Sequence, residues 1–272
     1  MTRRHVALLV WLLTGLAAIA PVPSRAAAAD PPRIAIIIDD LGYQRTAGRR
    51  AVALPGPVAC AVLPLTPRAA ELAEAAHAAG KEVLLHLPLQ SLGEEQPEPG
   101  GIVLDMSRAE LAQTFEGSLR SVPHVVGVNT HQGSLLSQHP GHMHWLMQEI
   151  DARDDLFFVD SYTSVDSVAL QLAREAGIAS VRRDVFLDPD RSPDTVAREF
   201  SRLKRLARKK GMAVGIGHPY PATLALLERE LPLLPEEGIE LVGIGEYVRR
   251  AQRTGGFATG KASTLPVAGS AE

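Results

Sequence analysis

From Arg33 onward the hydrophobic positions fall into short, continuous apolar runs separated by stretches with helical spacing. The runs are Ile34–Ile38, Val58–Leu63, Glu82–His86, Val125–Val128, Leu156–Val159, Ile178–Val181, Met212–Ile216 and Glu240–Ile244, rich in Val and Ile. Runs of this length without polar alternation predict strands buried on both faces, as in a parallel sheet. The stretches between them carry helix signals. Thr66-Pro67 predicts a cap and first-turn proline before a helix over Arg68–Ala79. Ser107-Arg108-Ala109-Glu110 predicts a capping box before Leu111–Leu119, and Ser192-Pro193 opens a long helix that closes at Lys210, before Gly211. Ser91–Gly101, with its Pro, Gly and Glu, reads as a loop or lid.

Eight strands alternating with helices predict parallel β with right-handed crossovers, either a (β/α) barrel or an open doubly wound sheet. No G-x-G-x-x-G follows the first strand, which weighs against the dinucleotide-binding form. The chain has 272 residues, an ordinary size for one α/β barrel of about 250 residues. There is no sign of a repeat or a second domain.

The segment before the first strand addresses the chain. Arg3, Arg4 and His5 precede an apolar run, Val6 to Ala20, broken only by Thr14 and Gly15; Pro21, Pro23 and the small residues Ala26 to Ala29 follow. The run is shorter than the ~20 residues that span a bilayer comfortably. The pattern predicts a secretory signal over residues 1–29, cleaved near Ala29, with an uncleaved membrane anchor as the alternative. Either form delivers the domain across a membrane, so an exported, periplasmic location is expected, with no stable membrane span after cleavage. The barrel domain is expected over residues 30–252. Residues 253–272 turn to Gly, Ala, Ser and Thr and are expected to form a disordered tail.

Charge adds exclusions. The net charge is −3 and no basic patch stands out, so no nucleic-acid partner is expected. The cluster Arg202, Lys204, Arg205, Arg208, Lys209 and Lys210 sits at a predicted helix end, where the helix dipole favours positive charge, and reads as a solvated face. Cys60 is the one cysteine. It lies in an apolar run and reads as a buried small hydrophobe, not a reactive thiol.

The chemistry collects where the strands end. Asp39-Asp40 closes the first strand and His86 the third. Asn129-Thr130-His131 follows the fourth, Asp160-Ser161 ends the fifth, Arg182-Arg183-Asp184 follows the sixth, Gly217-His218 the seventh, and Glu246 the eighth. In α/β barrels side chains at this carboxyl face converge from all round the chain. Two adjacent carboxylates ending a buried strand are costly unless a cation or hydrogen-bond donors satisfy them. Strand alternation puts Asp39 and Asp40 on different sides, one able to hold a metal and the other to take a proton; a helix-capping pair is the plainer alternative. His86 and His131 each read singly as core histidines, while His218, between Gly217 and Pro219 at a strand end, sits in a tight turn that could aim it into the mouth. Sharing a face with two aspartates, they suit a divalent metal such as Zn²⁺. A rival group, His139, His142 and His144, opens a predicted helix and reads as a solvated helix start. The four tyrosines, Tyr43, Tyr162, Tyr220 and Tyr247, follow strand ends and suit either a half-wet carbohydrate surface or rim packing.

These residues resemble a known family. Ile36-Ile37-Ile38-Asp39-Asp40 resembles the first motif of the polysaccharide deacetylases, T-F-D-D. Ala79-Gly80-Lys81-Glu82-Val83-Leu84-Leu85-His86 is similar to the approach to the second motif, Ile216-Gly217-His218 to the last, and Phe157-Phe158-Val159-Asp160-Ser161 lies where the fourth falls. His86-Leu87-Pro88, Gly127-Val128-Asn129-Thr130-His131-Gln132-Gly133-Ser134 and Gly217-His218-Pro219 are closer still to a divergent, exported bacterial branch of that family. The resemblance covers roughly Arg33 to Arg250. It implies a distorted barrel, usually counted with seven strands, and metal-dependent removal of N- or O-acetyl groups from a cell-envelope polysaccharide or peptidoglycan-type substrate. It further implies Asp39 as general base, Asp40 and His86 as metal ligands and His218 as general acid, with Asp160 orienting a ligand or His218. Two departures stand out. Gln90 occupies the place of the second metal histidine, and Asn129 to Ser134 replaces the third motif's R-x-P-x-G. His131 is the candidate for the missing ligand by its position. Gln90, Asn129, Ser161 and Tyr220 are candidates to line the substrate mouth. A non-enzymatic envelope protein that binds glycan or a protein partner is the main alternative, and another metal hydrolase on the same barrel is a third.

Overall fold

A computed structural model of the chain describes residues 30–93, 98–153 and 155–254. Nine strands and eight α-helices alternate among the described residues. The strands are β1 (Arg33–Leu41), β2 (Ala59–Val62), β3 (Val83–Leu89), β4 (Val125–Gln132), β5 (Phe157–Asp160), β6 (Ser180–Arg182), β7 (Val185–Phe186), β8 (Met212–Gly217) and β9 (Glu240–Leu241). The helices are α1 (Arg45–Val52), α2 (Ala69–Ala78), α3 (Arg108–Ser121), α4 (Pro140–Asp151), α5 (Ala169–Glu175), α6 (Pro193–Lys210), α7 (Pro221–Glu230) and α8 (Ile244–Thr254). Every strand pairing is parallel, in the order β6-β5-β4-β3-β2-β1-β8-β7, with β9 beside the start of β1. β6 and β7 close the two ends of that order, yet only Arg183 and Asp184 separate them in the chain. The two sheet edges are therefore brought side by side, and the sheet curls into a distorted (β/α) barrel.

Seven of the eight expected strands take their places in this path. The eighth, expected over Glu240–Ile244, shrinks to Glu240–Leu241, pairs with Arg33 and Ile34 only, and gives way to α8 at Ile244. The path is completed instead by Val185–Phe186, two residues long and too short to leave a periodic signal. Three strands also outrun their apolar runs. β1 reaches Leu41, β3 Leu89 and β4 Gln132, so Asp39, Asp40, Asn129 and His131 lie within strands instead of after their apolar runs, and His86 lies mid-strand instead of at a strand end.

The core has two shells, as alternation requires. Ile34, Ile36 and Ile38 face outward beneath the helices, in a cluster that includes Leu72, Phe115, Leu146, Phe158 and Leu203. Ala35, Ile37, Ala59, Ala61, Leu84, Val159, Val181, Val214 and Ile216 fill the barrel interior. Cys60 is fully buried and burial pushes its thiol pKa up to about 12, as suits an inert packing residue. The α3 capping box forms as expected between Ser107 and Glu110, and Ser192 caps α6, which ends on Gly211 at φ 83°. The basic end of α6 is exposed and partly paired: Lys204 and Arg208 meet Glu237, and Lys210 meets Asp184. Thr66 is not a cap: its buried hydroxyl donates to the Leu63 carbonyl, and α2 starts at Ala69 behind Arg68.

The amino end of the barrel is plugged by α8. Ile244, Tyr247 and Val248 join the interior cluster, while the Glu82 carboxylate, just ahead of β3, accepts from Gly245 N at 3.0 and 3.2 Å. Glu82 thus acts as a remote cap on the helix N-terminus, and burial raises its pKa. Glu82→Ala is expected to lower stability by about 1–2 kcal/mol, read as a shift of the urea midpoint at constant slope. An unmoved midpoint would show that α8 needs no such cap. Glu246, expected at the mouth, belongs to α8 at this opposite end and pairs with Arg250. Tyr247 is likewise part of the plug and not of a carbohydrate surface.

The expected signal over residues 1–29 lies outside the described residues. So does most of the expected tail; its first two positions, Arg253 and Thr254, belong to α8. Among the described residues no helix is long and apolar enough to cross a membrane. Of the loop Ser91–Gly101, residues 94–97 lie outside the described set. Its base is closed by Gln90 N to Ile102 O at 3.0 Å and Ile102 N to Pro88 O at 2.9 Å.

Candidate metal centre

The interior alternation continues past the apolar layer and turns polar. Two residues beyond Ile37, Leu84, Val159, Val181 and Ile216 stand Asp39, His86, Ser161, Arg183 and His218, and on β4 Asn129 and His131 follow Gly127 at the same step. One short shift in residue type therefore lays a ring of polar side chains on a dry interior. Asp40 should face away from Asp39 under strict alternation. It does not. The β1–β2 register slips between Ile38 and Leu41, and Asp40 adopts φ 58°. This left-handed turn, at a cost on the order of 1 kcal/mol for a non-glycine residue, swings the second carboxylate into the same pocket as the first.

Asp40, His86 and His131 converge there. Asp40 Oδ1 lies 3.2 Å from His86 Nε2 and 3.0 Å from His131 Nδ1, and the two nitrogens are 3.2 Å apart. Ligands about 2.0–2.1 Å from a tetrahedral Zn²⁺ sit about 3.3 Å from one another, so the triangle has the right size. Asp40 Oδ1 is buried without a hydrogen-bond partner, an orphan that a cation would satisfy. The hydrogen positions agree. Asn129 Nδ2 donates to Asp39 Oδ1 at 2.8 Å, which points its amide oxygen at His86 Nδ1, 3.0 Å away. An amide oxygen only accepts, so His86 carries its hydrogen on Nδ1 and turns the Nε2 lone pair to the triangle. Three lone-pair atoms facing one another fit a divalent ion.

The electrostatics suit the same centre. Burial alone would raise the Asp40 pKa, but the imidazoles of His131 and His86 beside it hold it well below the usual carboxylate range. Asp39, 3% exposed, has its pKa raised by burial. Burial pulls the His86 pKa down, yet Asp39, Asp40 and Asn129 together outweigh it and the net shift is upward. His218 Nε2 approaches Asp40 Oδ2 at 3.6 Å from across the pocket. Its Nδ1 is 2.9 Å from Asp188 Oδ1, and its backbone N–H donates to Asp188 Oδ2 at 2.8 Å, where Thr223 Oγ1 also donates at 2.6 Å. Burial lowers the His218 pKa, but the Asp188 hydrogen bond and the charges of Asp39 and Asp40 raise it overall.

Several expected residues stand elsewhere. Asp160 does not touch His218. It follows the outward-facing Phe158, and its carboxylate accepts from Tyr162 N at 2.9 Å, Ser167 Oγ at 3.2 Å and Arg182 Nε at 3.2 Å. Asp188, just after β7, holds His218 instead; a strand of two residues gave no cue that a strand-end carboxylate was there. Gln90 does not open onto the mouth as a free amide: its Oε1 accepts from Leu104 N at 2.9 Å and pins the loop after Gly101. Asn129 is fully buried and Ser161 is 4% exposed, 3.4 Å from the Asn129 amide, so they support the centre from beneath. Tyr220 is half-buried and stacks on His218 with ring centres 5.3 Å apart, at the pocket wall. Asp184 turns away to Lys210 and Val214 N. In the rival group, His139 caps α4 by accepting from His142 N at 3.3 Å, and His142 is buried, not solvated. Since Asn129 sets the His86 tautomer, Asn129→Leu is expected to weaken zinc affinity 10–100-fold, measured by competition with a chromophoric chelator. Unaltered affinity would remove Asn129 from the design.

The chain is 35% identical over 220 residues to the uncharacterized protein YibQ of Escherichia coli, covering 81% of this chain and 68% of that one. It is 36% identical over 217 residues to an uncharacterized protein of Haemophilus influenzae, covering 80% and 77%. Its fold matches the crystal structure of an uncharacterized protein of Agrobacterium tumefaciens, with a TM-score of 0.77 at 23% identity over 81% of this chain and 91% of that one. It also matches the catalytic domain of the peptidoglycan N-acetylglucosamine deacetylase of Eubacterium rectale, with a TM-score of 0.50 at 15% identity over 81% and 94%. The family model described as divergent polysaccharide deacetylase matches residues 36–248, nearly all of the barrel and every residue of the polar ring, and the chain belongs to that family.

Proposed function

We propose that this protein is an exported, metal-dependent hydrolase that removes N- or O-acetyl groups from a cell-envelope polysaccharide. The observation that carries the reading is the Asp40–His86–His131 triangle with a second carboxylate, Asp39, and a carboxylate-held imidazole, His218, on either side of it. Asp40, His86 and His131 would hold the ion, with Zn²⁺ the best match to one carboxylate and two imidazoles. Bound there, it supplies Lewis acidity toward an acetyl carbonyl and toward water.

The chain's own residues do the rest. Asp39, held by Asn129 and with a pKa raised toward the working range by burial, takes the proton of the attacking water. His218 gives a proton to the leaving amine or alcohol. Asp188 holds the ring by Nδ1 and favours its charged form, so the proton to be delivered sits on Nε2, facing the pocket. Tyr220 stacks against that ring and limits its rotation. Gln90 Oε1 is taken up by Leu104 N, so this oxygen holds the loop after Gly101.

The test is acetate release from acetylated chitin and peptidoglycan fragments, with and without a chelator. The reading expects release that stops on chelation and returns with zinc. Stoichiometric metal without acetate from any such glycan would favour the binding-protein alternative.

A further inference from the structure

One polar atom of the triangle is left unanswered. His131 Nδ1 faces Asp40 Oδ1 and His86 Nε2, so as a ligand it must carry its hydrogen on Nε2. That Nε2 is buried and makes no hydrogen bond. A buried N–H without an acceptor is costly. Within ion-pair reach of it stands Glu98, with Oε1 at 3.8 Å. The gap is too long for a hydrogen bond. It is also too short for a bridging water, which would hold the two atoms about 4.5 Å apart. Glu98 is itself held from the far side, where Tyr43 Oη donates to Oε2 at 2.8 Å. Burial, followed by the bond to Glu98 and the charges of Glu98 and Asp40, pushes the Tyr43 pKa up to about 12, so the phenol remains a donor. The three groups come from separate parts of the chain: Tyr43 from just past β1, Glu98 from the connection between β3 and α3, His131 from β4.

We propose that Glu98 is the outer carboxylate of the metal centre, positioned by Tyr43 to take the Nε2 hydrogen of His131 when the triangle holds its ion. The inference rests on the metal-centre reading above. Closing the gap needs a movement of about 1 Å, within reach of a side-chain rotation. The bond fixes the tautomer that frees Nδ1 and makes that nitrogen a better donor to the ion, as carboxylate partners of metal-bound histidines do. His86 and His131 then use different outer partners, a neutral amide for the first and a carboxylate for the second. The carboxylate belongs to a connecting segment and not to a strand, so its placement and the ion's occupancy favour each other reciprocally.

The experiment measures zinc affinity of the full chain by competition with a chromophoric chelator. Glu98→Ala is expected to weaken binding 10–100-fold. Glu98→Gln, which keeps an acceptor but not the charge, should fall between it and the parent protein, and Tyr43→Phe should weaken binding less than Glu98→Ala. The melting temperature of the metal-free protein should not move with these substitutions, which separates positioning from a structural role, and Glu74→Ala on the α2 surface serves as a control. Glu98→Ala within about threefold of the parent, while His86→Ala loses zinc, would overturn the assignment of Glu98 alone. Full zinc in both His86→Ala and His131→Ala would instead remove the metal centre on which it rests.

Discussion

Replacing His86 with alanine is expected to leave the purified protein without its divalent ion. His86 is 1% exposed and supplies the one triangle atom whose lone pair is fixed by a fully buried partner. Without it, Asp40 and His131 remain as a carboxylate and a single imidazole, too few to hold zinc in a tetrahedral protein site. The loss also leaves Asp39 and Asp40 crowded together without the imidazole that lies 3.5 and 3.2 Å from them, a further penalty on keeping both ionised. Elemental analysis after dialysis should find a single equivalent in the parent protein and background in the variant, with circular dichroism confirming that the barrel persists. A Lewis acid contributes several kcal/mol to a transition state, so acetate release should fall on the order of 10³-fold or more. Undiminished metal in the variant would place the ion elsewhere.

Asp39→Asn is expected to do the opposite: keep the metal and lose the turnover. Asp39 Oδ1 accepts from Asn129 Nδ2, and the oxygen of the introduced amide can accept the same bond. The neighbouring carboxylate of Asp40 retains its contacts with both histidines. What disappears is a proton acceptor, worth typically 10²–10⁴-fold in rate. Stability should not suffer, because burial disfavours the Asp39 charge in the first place. The pair of variants therefore separates two carboxylates adjacent in sequence: kinetics alone moves with Asp39, and metal content moves with the triangle. Loss of metal in Asp39→Asn would mean that the roles of the two aspartates are shared or exchanged.

How much of this could be read before the fold was known depends on the kind of residue. Asp39, His86 and His218 were legible because each follows an apolar run by a fixed step, and strand ends in α/β barrels meet at one face. His131 was legible as a position, being two residues beyond Asn129 on a strand that continues past its apolar stretch. Asp160 satisfied the same rule and still points outward, to Arg182 and Ser167. A strand buried on both faces is apolar on both, so the run Leu156–Val159 does not say which parity enters the barrel. Asn129 looked like a mouth residue and is a buried support, since only the pairing of β3 with β4, His86 opposite Asn129, puts its amide under the ligand ring.

The sequence by itself determined the alternation of strand and helix, the apolar interior, the chemical inventory of the strand ends and hence the family. Those are local properties, written in periodicity, caps and short motifs. Only the tertiary structure decided that Asp40 turns back beside Asp39, that Asp188 and not Asp160 holds His218, that a two-residue strand completes the path, and that Glu82 seals the floor through α8. Each of these depends on a register slip, a left-handed residue or a contact between segments far apart in the chain, none of which has a period to read.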